Sequence, residues 1–290
     1  MKKKITVFDV VLTIFMILWG LMIVYPFYNS ILVSFMTEAE FMRKPFALWV
    51  SEPSFAAFKE IFSDSKFFDA YKVTLTVLFA KLPLSLIVVS AMAYAMSRKD
   101  FYLKKAVNNL AVFTMYFGGG IIPVYLLMRQ YGLLDSLLSV ILLGSFNVYN
   151  MILLKNFFYT IPDSLEESAK LDGANDLRIF AQIYIPLAKP IIATVALFSA
   201  VDVWNEWYNA MIFISDARKW PLQLVLREMI NNASQTVRED MYDDSVVKKE
   251  TFALNVQMAS VVVTMLPIML VYPFLQRYFM SGLTVGAVKG

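Results

Sequence analysis

The stretch EESAKLDGANDLRIFAQIYIPLAKP, residues 166–190, lies between two apolar segments of the chain. It carries six acidic or basic side chains before Ile183, and Gly173 stands near its middle. Glycine readily takes the left-handed conformation that ends a helix, and Asn175 or Asp176 can cap a helix that follows. The pattern therefore predicts two short helices joined by a turn at Gly173.

The residues on either side of this turn indicate where the segment begins and ends. Pro162 favours a helix start, and Asp163 then lies near the positive end of the helix dipole. Pro186 and Pro190 mark the exit into the next apolar segment. Such a plate suits docking to another protein, and it also suits an amphipathic loop on the membrane surface. The acidic first helix favours docking, because inner leaflets are negative and attract bases.

The composition of the whole chain indicates a membrane protein. Of the 290 residues, 59% are hydrophobic, whereas a little under half is usual in a soluble domain. The sequence has no cysteine, which excludes disulfides and thiol nucleophiles. It also has no histidine, so the usual general base and the commonest metal ligand are missing. The net charge of +3 is small and suggests no nucleic-acid partner.

Six apolar stretches are long enough, or nearly so, to cross a bilayer as helices. A crossing helix needs about 20 mostly apolar residues, and lipid offers no partner to a loose backbone group. The first stretch is too long for a signal peptide and has no small-residue cleavage site, so it reads as an uncleaved span. We therefore predict an all-α, polytopic membrane protein whose six spans are residues 10–35, 73–96, 106–128, 137–154, 183–214 and 252–278.

The lysines and arginines of the short loops set the orientation, because such bases stay on the cytoplasmic side. They concentrate at the amino terminus and after the second span, at Lys2, Lys3, Lys4, Arg98, Lys99, Lys104 and Lys105. Both termini and the loop at about residues 160–190 are then cytoplasmic, and the loops at about residues 37–68 and 215–251 are external. No internal repeat is evident, so we expect one membrane domain over residues 1–290.

The central segment also resembles a known motif. IPDSLEESAKLDGANDLRIFAQIYIPLAKP, residues 161–190, is similar to the EAA loop of importer permeases of the ATP-binding cassette class. Ser168 stands where that family has its middle alanine, which exchanges one small residue for another. The matching positions are Ile161, Pro162, Glu167, Ala169, Asp172, Gly173, Ala174, Phe180, Ile183, Pro186 and Pro190.

Other stretches carry the same resemblance over nearly the whole chain. AYAMSRKD (93–100), VWNEWYNAM (203–211) and GLTVGAVKG (282–290) resemble carbohydrate-importing permeases. YFGGGIIPVYLL (116–127) and YPFLQRYF (272–279) are similar to the branch linked to complex polysaccharides and their oligosaccharides. The resemblance implies docking to an ATPase through the EAA loop, with the coupling residues Glu166, Glu167, Ser168, Ala169, Asp172, Gly173, Ala174 and Phe180.

The resemblance also implies the rest of the assembly. The chain would form half of a translocation pathway in a bacterial plasma membrane, beside a second, different permease. Two cytoplasmic ATPase subunits would bind ATP and Mg, and an extracellular sugar-binding protein would deliver the substrate. The chain itself would be no enzyme and would hold no cofactor, since it lacks G-x-x-x-x-G-K-[ST]. Its only triple glycine, at 118–120, favours close helix packing or a bend within a span.

Two other classes of function compete with this interpretation. An ion-coupled secondary transporter would need intramembrane acids, and Asp202 and Glu206 lie four residues apart in the fifth span. No histidine accompanies them and no inverted repeat is visible. A membrane-embedded enzyme would need catalytic side chains, and the absence of histidine and cysteine argues against it.

Polar and aromatic residues within the spans are candidates for the substrate pathway. Trp204, Asn205, Glu206 and Tyr208 could offer ring faces and hydrogen bonds to a sugar, although tryptophan and tyrosine also form interfacial belts. Lys81 lies near the centre of the second span. A charge there must find a partner, and a salt bridge to a fifth-span carboxylate is the favoured interpretation. Contact with an acidic sugar in transit is the alternative.

Overall fold

A computed structural model describes residues 6–240 and 252–287, and every regular element in that part of the chain is a helix. The α-helices are α1 Val7–Ser34, α2 Glu38–Arg43, α3 Ala56–Ser63, α4 Ser65–Ser97, α5 Lys104–Tyr116, α6 Ile121–Gln130, α7 Leu137–Leu142, α8 Val148–Phe158, α9 Asp163–Leu171, α10 Asp176–Ile179, α11 Ile185–Leu187, α12 Lys189–Trp204, α13 Tyr208–Phe213, α14 Leu222–Asp240 and α15 Ala253–Ala287. A π-helical turn at Phe180–Tyr184 joins α10 to α11, and a 3-10 turn at Ala217–Lys219 precedes α14.

Three of the described helices are long and apolar enough to cross a membrane by themselves: α1, α4 and the first part of α15. Two bent pairs, α5 with α6 and α10–α11 with α12, pass the same test when each pair is taken as one span, which gives up to five. The prediction of a helical membrane protein is confirmed. The count of six spans stays a prediction.

The third predicted span, 106–128, is bent at its triple glycine, which was one of the two alternatives that the sequence offered. Helices α5 and α6 meet at an angle of 112° across residues 117–120. Gly120 has φ +84°, a conformation that other residues adopt at a cost, and a methyl group placed on Gly118, Gly119 or Gly120 would meet no atom within 4 Å. The glycines therefore serve a bend, and the described chain itself packs nothing closely against them.

The fourth predicted span, 137–154, is also interrupted, because α7 ends at Leu142 and α8 begins at Val148. Asn147 caps α8 by accepting the backbone amide of Asn150 at 3.1 Å. The buried Asn150 side chain donates to Ser199 Oγ of α12 at 3.3 Å. Both asparagines therefore have partners among the packed helices, and Asn147 lies at the cap of α8 rather than inside a helix.

The fifth predicted span, 183–214, breaks twice. The chain bends by 83° around Ala188, just before Pro190 in the first turn of α12. Helix α12 then ends at Trp204, and the Glu206 carboxylate accepts the Asn209 amide at 2.9 Å and its side-chain Nδ2 at 2.7 Å. The Glu206 carboxylate therefore satisfies one of the amides at the start of α13 that have no partner within that helix.

The structure divides into two compact units, Met1–Phe68 with Leu226–Pro267, and Asp69–Val225 with Ile268–Gly290. In the first unit, Asn255 Nδ2 donates to the carbonyl of Met36 at 3.1 Å. In the second, a buried core joins α4, α8, the π-helical turn and α12. The predicted external loop at 215–251 contains α14, and its residues 241–251 lie outside the described part, as do Lys2, Lys3, Lys4 and residues 288–290.

The side chain of Asp135 connects two loops of the second unit, and we call this set of contacts the Asp135 clamp. Asp135 has φ +54°, which is unusual for a residue other than glycine. Its carboxylate accepts the amides of Ser215 at 3.2 Å and Asp216 at 2.9 Å, and it pairs with Lys219 Nζ at 2.8 Å. The hydrogen bond from Lys219 and then that from the Asp216 amide hold the pKa of the Asp135 carboxyl below its ordinary value of 3.8.

This lowered pKa predicts that the contribution of Asp135 to the stability of the folded protein depends on pH. A carboxyl whose folded pKa is lowered stabilises the fold above its ordinary pKa, and the contribution is lost as the pH falls through the folded value. The stability difference between the protein and its Asp135→Asn variant should therefore be constant from pH 7 to 5 and shrink below pH 3.8. Thermal unfolding of the detergent-solubilised protein measures it.

An exposed carboxylate provides the matched control. Asp69 pairs with Lys72 at 3.0 Å within α4, and both side chains are at least half exposed. Asp69→Asn should leave the unfolding temperature unchanged across the same pH range. A difference for Asp135→Asn that persists undiminished at pH 3 would contradict the clamp.

Candidate functional site

The turn at Gly173 ends α9 as the sequence predicts. Gly173 has φ +74°, its amide donates to the carbonyl of Lys170 at 3.0 Å, and the amide of Ala174 donates to that of Ala169 at 2.9 Å. These two bonds form a Schellman motif, in which a left-handed residue after the helix closes its last carbonyls. A methyl group on Gly173 would meet no atom within 4 Å, so backbone conformation alone calls for glycine.

The second short helix begins and ends through local signals. Asn175 caps α10 by accepting the amide of Arg178 at 2.8 Å, as predicted. Pro162 stands one residue before α9 rather than inside its first turn, which is a small correction. Helix α10 passes into the π-helical turn at Phe180–Tyr184, a form often found at functional sites, and then into the bend before α12.

The predicted coupling residues differ in exposure, and four of the eight lie at the surface. Glu167, Ser168, Asp172 and Gly173 are exposed. Ala169, Ala174 and Phe180 are partly buried and pack against the core of the second unit. Glu166, in contrast, is buried and only 8% exposed.

Two leucines that the motif does not mark lie on this surface. Leu171 is 89% exposed and Leu177 is 72% exposed, one on each side of the turn at Gly173. Apolar side chains that point into water beside a charged helix are candidates for contact with a partner. Leu171 lies two residues after the partly buried Ala169, so it points to the other side of α9, whereas no local signal of this kind marks Leu177.

Glu166 is held inside the second unit by two cations. It forms an ion pair with Arg98, which follows α4, and another with Lys170 Nζ at 2.8 Å, one turn further along α9. Beside them lies a small pocket of about 160 Å³, whose lining is Arg98, Lys99, Asp100, Asp163, Glu166, Glu167 and Lys170. In the sequence, Arg98 indicates orientation and belongs to the stretch AYAMSRKD, but no residue of the loop at 160–190 indicates that Arg98 would pair with Glu166.

Lys81 is buried, as expected for a charge near the centre of a span, but its partner is a backbone carbonyl rather than the expected carboxylate. Its Nζ donates to the carbonyl of Val140 at 3.0 Å, and the side chain is 7% exposed. Within the described chain it forms no ion pair with Asp202 or Glu206, so the favoured salt bridge is wrong. The two carboxylates lie near enough to attract Lys81 electrostatically without contact.

The structure does not bring the remaining pathway candidates onto one surface. Trp204 is 7% exposed and packs edge-on against Tyr71 at 5.7 Å, so it belongs to the core. Glu206 is engaged in capping α13. Asn205 and Tyr208 are exposed, and Asn205 Oδ1 accepts Gln223 Nε2 at 3.4 Å. Asp202, in the last turn of α12, is exposed as well.

A helical membrane chain with a charged two-helix loop, and without the nucleotide-binding motif, has the features of the membrane subunit of an energised transporter. The family of binding-protein-dependent transport system inner membrane components matches residues 6–285. The chain belongs to this family. It is therefore a permease subunit of an ATP-binding cassette transporter in the membrane, and it is not an enzyme.

Individual relatives agree with the family over the full length. The polygalacturonan/rhamnogalacturonan transport system permease protein YtcP of Bacillus subtilis (strain 168) is 40% identical over 292 residues, which cover 100% of both chains. Protein LplC of the same organism is 37% identical over 284 residues, 98% of this chain and 95% of the relative. The ion-coupled alternative based on Asp202 and Glu206 finds no support among these relatives.

A solved structure is also similar. The crystal structure of a bacterial ABC transporter involved in the import of the acidic polysaccharide alginate contains a chain with 30% sequence identity and a TM-score of 0.86. The match covers 94% of this chain and 96% of that chain. The permease fold that the sequence resemblance implied is thereby confirmed.

The geometry of Gly173 predicts a conformational cost for substitution. A residue other than glycine in the left-handed conformation costs about 1–2 kcal/mol. Gly173→Val should therefore raise the equilibrium population of the opened Schellman turn about 5–30-fold. Gly173→Asn should raise it less, because asparagine tolerates this conformation better. Hydrogen exchange of the peptides that contain Ala174, whose amide closes the turn, measures the opening.

Gly118 is the matched control for this substitution. A methyl group placed there would also meet no atom within 4 Å, but the φ of Gly118 is not in the left-handed region. Gly118→Val should leave exchange at Ala174 unchanged. Equal exchange in Gly173→Val and the unmodified protein would show that the turn does not depend on glycine.

Proposed function

We propose that the chain is the permease subunit of an ATP-driven importer of oligosaccharides derived from complex, acidic polysaccharides. The observation that carries the proposal is the full-length similarity to a polygalacturonan/rhamnogalacturonan permease at 40% identity. The structural similarity to a component of an importer of the acidic polysaccharide alginate supports the same substrate class. Both relatives concern polymers of acidic sugars.

The proposed assembly follows from the family. A binding-protein-dependent system needs an extracellular protein that captures the sugar and an ATPase that binds ATP and Mg. This chain would form half of the translocation pathway, with a second, different permease as the other half. Its sequence has no nucleotide motif, so the ATPase must be supplied by cytoplasmic partner subunits.

The loop at residues 160–190 would dock to the ATPase. Glu167 supplies an exposed carboxylate for a basic groove, while Ser168 and Asp172 lie on the same exposed surface. Leu171 and Leu177 add apolar contacts at the turn. The mixture of a few charges with exposed leucines supports a protein groove as the partner, because a helix in a groove is anchored by apolar side chains.

The translocation pathway would include the exposed polar residues at the end of α12. Asp202, Asn205 and Tyr208 are exposed within a predicted span. A central charge that faces lipid costs about 2.5–3.5 kcal/mol, so such a face should be covered by the companion permease or by water. Lys81 would act on an acidic sugar through its field, since its ammonium is buried against Val140.

The orientation in the membrane remains the one proposed from the basic residues. Both termini and the loop at 160–190 would be cytoplasmic, and the loops at 37–68 and 215–251 external. Phe46 is 77% exposed and Tyr102 is 96% exposed, so single cysteines there suit labelling. In this cysteine-free chain, Phe46→Cys should react from outside the cell and Tyr102→Cys only from inside.

The proposed function is tested with the complete importer in proteoliposomes, with its companion permease, ATPase and binding protein. Labelled oligogalacturonides should accumulate only with ATP and the binding protein, and ionophores should have no effect. Neutral maltooligosaccharides of the same length are the control and should not accumulate. Uptake that needs no ATP and is abolished by an ionophore would instead identify an ion-coupled transporter.

Glu167 provides a mutational prediction for docking. An exposed ion pair contributes up to about 1 kcal/mol, so Glu167→Ala should lower sugar-stimulated ATP hydrolysis by up to about fivefold. The ATPase should still co-purify, because the leucines remain. Rates are compared at equal amounts of complex in proteoliposomes.

The control for Glu167→Ala is Glu60→Ala, which removes an exposed carboxylate from α3, outside the proposed docking loop. It should leave stimulated hydrolysis unchanged. Full stimulation in the Glu167→Ala complex would count against Glu167 as the docking anchor.

A further inference from the structure

Arg98 is an enclosed cation of the predicted cytoplasmic face. It follows α4 directly, and its side chain is 13% exposed, while that of its ion-pair partner Glu166 is 10% exposed. Its Nη2 also donates to the hydroxyl of Tyr184 at 2.8 Å. One guanidinium group therefore contacts the end of α4, helix α9 and the π-helical turn at Phe180–Tyr184 at once.

Aromatic rings complete the surroundings of Arg98. Its guanidinium carbon lies 5.0 Å from the centre of the Tyr94 ring and 4.9 Å from that of Tyr184. Tyr184 is 1% exposed and belongs to the core that joins α4, α8 and α12. A guanidinium can stack on rings and bind a carboxylate in the same arrangement, whereas an ammonium is a point charge without a planar face.

Lys99, the next residue, also connects α4 to α9, but it is not enclosed as Arg98 is. Lys99 pairs with Asp163 at 2.5 Å, so it also connects the end of α4 to helix α9. Its side chain is 80% exposed and that of Asp163 is 53% exposed. An exposed pair of this kind contributes little, but loss of one partner from an enclosed pair leaves the other charge without compensation. Of these two connections, Arg98–Glu166 is the strong one.

We propose that Arg98 is a positioning residue that transmits movement of the ATPase-docking loop directly to α4. The loop is already joined to α12 by the chain itself, through the bend near Ala188. The Arg98–Glu166 pair gives it a second connection, to the predicted second span. The inference rests on the proposed docking function, and it adds a residue and a span that the EAA loop alone does not include.

The first test measures coupling in the complete importer in proteoliposomes, with oligogalacturonides as the sugar. The readout is the ratio of sugar-stimulated to basal ATP hydrolysis. Arg98→Met should lower this ratio about tenfold, within the range usual for coupling between distant sites. Arg98→Lys keeps the charge but loses the stacking and the second donor, so the fall should be smaller. The matched control Lys99→Met should keep the ratio.

The second test follows the movement itself. The chain has no cysteine, so spin labels can be placed at Ile87→Cys on α4 and Ser164→Cys on α9, which are both exposed. With Arg98 present, α4 and α9 should move together, and the distance between the labels should be the same without nucleotide and with bound ATP. With Arg98→Met, the distance should differ between the two states. An Arg98 with a purely structural role would give the same distance in both states for either protein.

The outcomes separate this inference from the function on which it rests. If the unmodified importer shows no ATP-driven uptake, the proposed function fails. If it transports while Arg98→Met keeps the full hydrolysis ratio, the inference alone is overturned. Should Arg98→Met not assemble, Arg98→Lys and Glu166→Gln decide in its place. Loss of the co-purified ATPase in all three variants would overturn the positioning role in favour of a structural one.

Discussion

Inside a bilayer, each backbone amide and carbonyl must find its hydrogen-bond partner within the protein, because lipid supplies none. This constraint makes the chain helical, and it also limits where a helix can stop. Three interruptions in the second unit are accompanied by local residues that replace lost hydrogen bonds or permit the bend: Asn147 at the start of α8, Glu206 before α13, and glycines between α5 and α6. The polar residues within the spans are thus partly explained by backbone chemistry, before any substrate is considered.

The sequence predicts a structural feature well when the residues that cause it lie close together in the chain. The turn at Gly173 and the cap at Asn175 depend on residues within a few positions, and both are found as predicted. The interruptions of the fourth and fifth spans were missed, because hydropathy reports preference for lipid and is silent on helix continuity, whereas the triple glycine already favoured a bend or close packing in the third span. Arg98 was missed for the opposite reason, since its partner Tyr184 lies 86 residues away and no local pattern encodes that contact.

Lys81 shows how a buried cation can be satisfied without a salt bridge. The sequence offered Asp202 and Glu206 as counter-ions, yet the ammonium donates to the carbonyl of Val140, near the end of a short helix. The last carbonyls of a helix have no intrahelical partner and carry partial negative charge, so they can accept from a cation. This leaves Asp202 exposed and outside any ion pair with Lys81 in the described chain.

The two adjacent glutamates of the docking loop illustrate how one helix can serve two purposes. Neighbouring residues on an α-helix point about 100° apart, so Glu166 and Glu167 present their carboxylates in different directions. Glu166 is enclosed with Arg98 and Lys170, whereas Glu167 faces outward. An exposed charge can transmit force to the rest of the protein only if its own helix is held firmly, and the enclosed pair supplies that hold. The docking contact proposed for Glu167 would therefore depend physically on the ion pairs that Glu166 makes with Arg98 and Lys170.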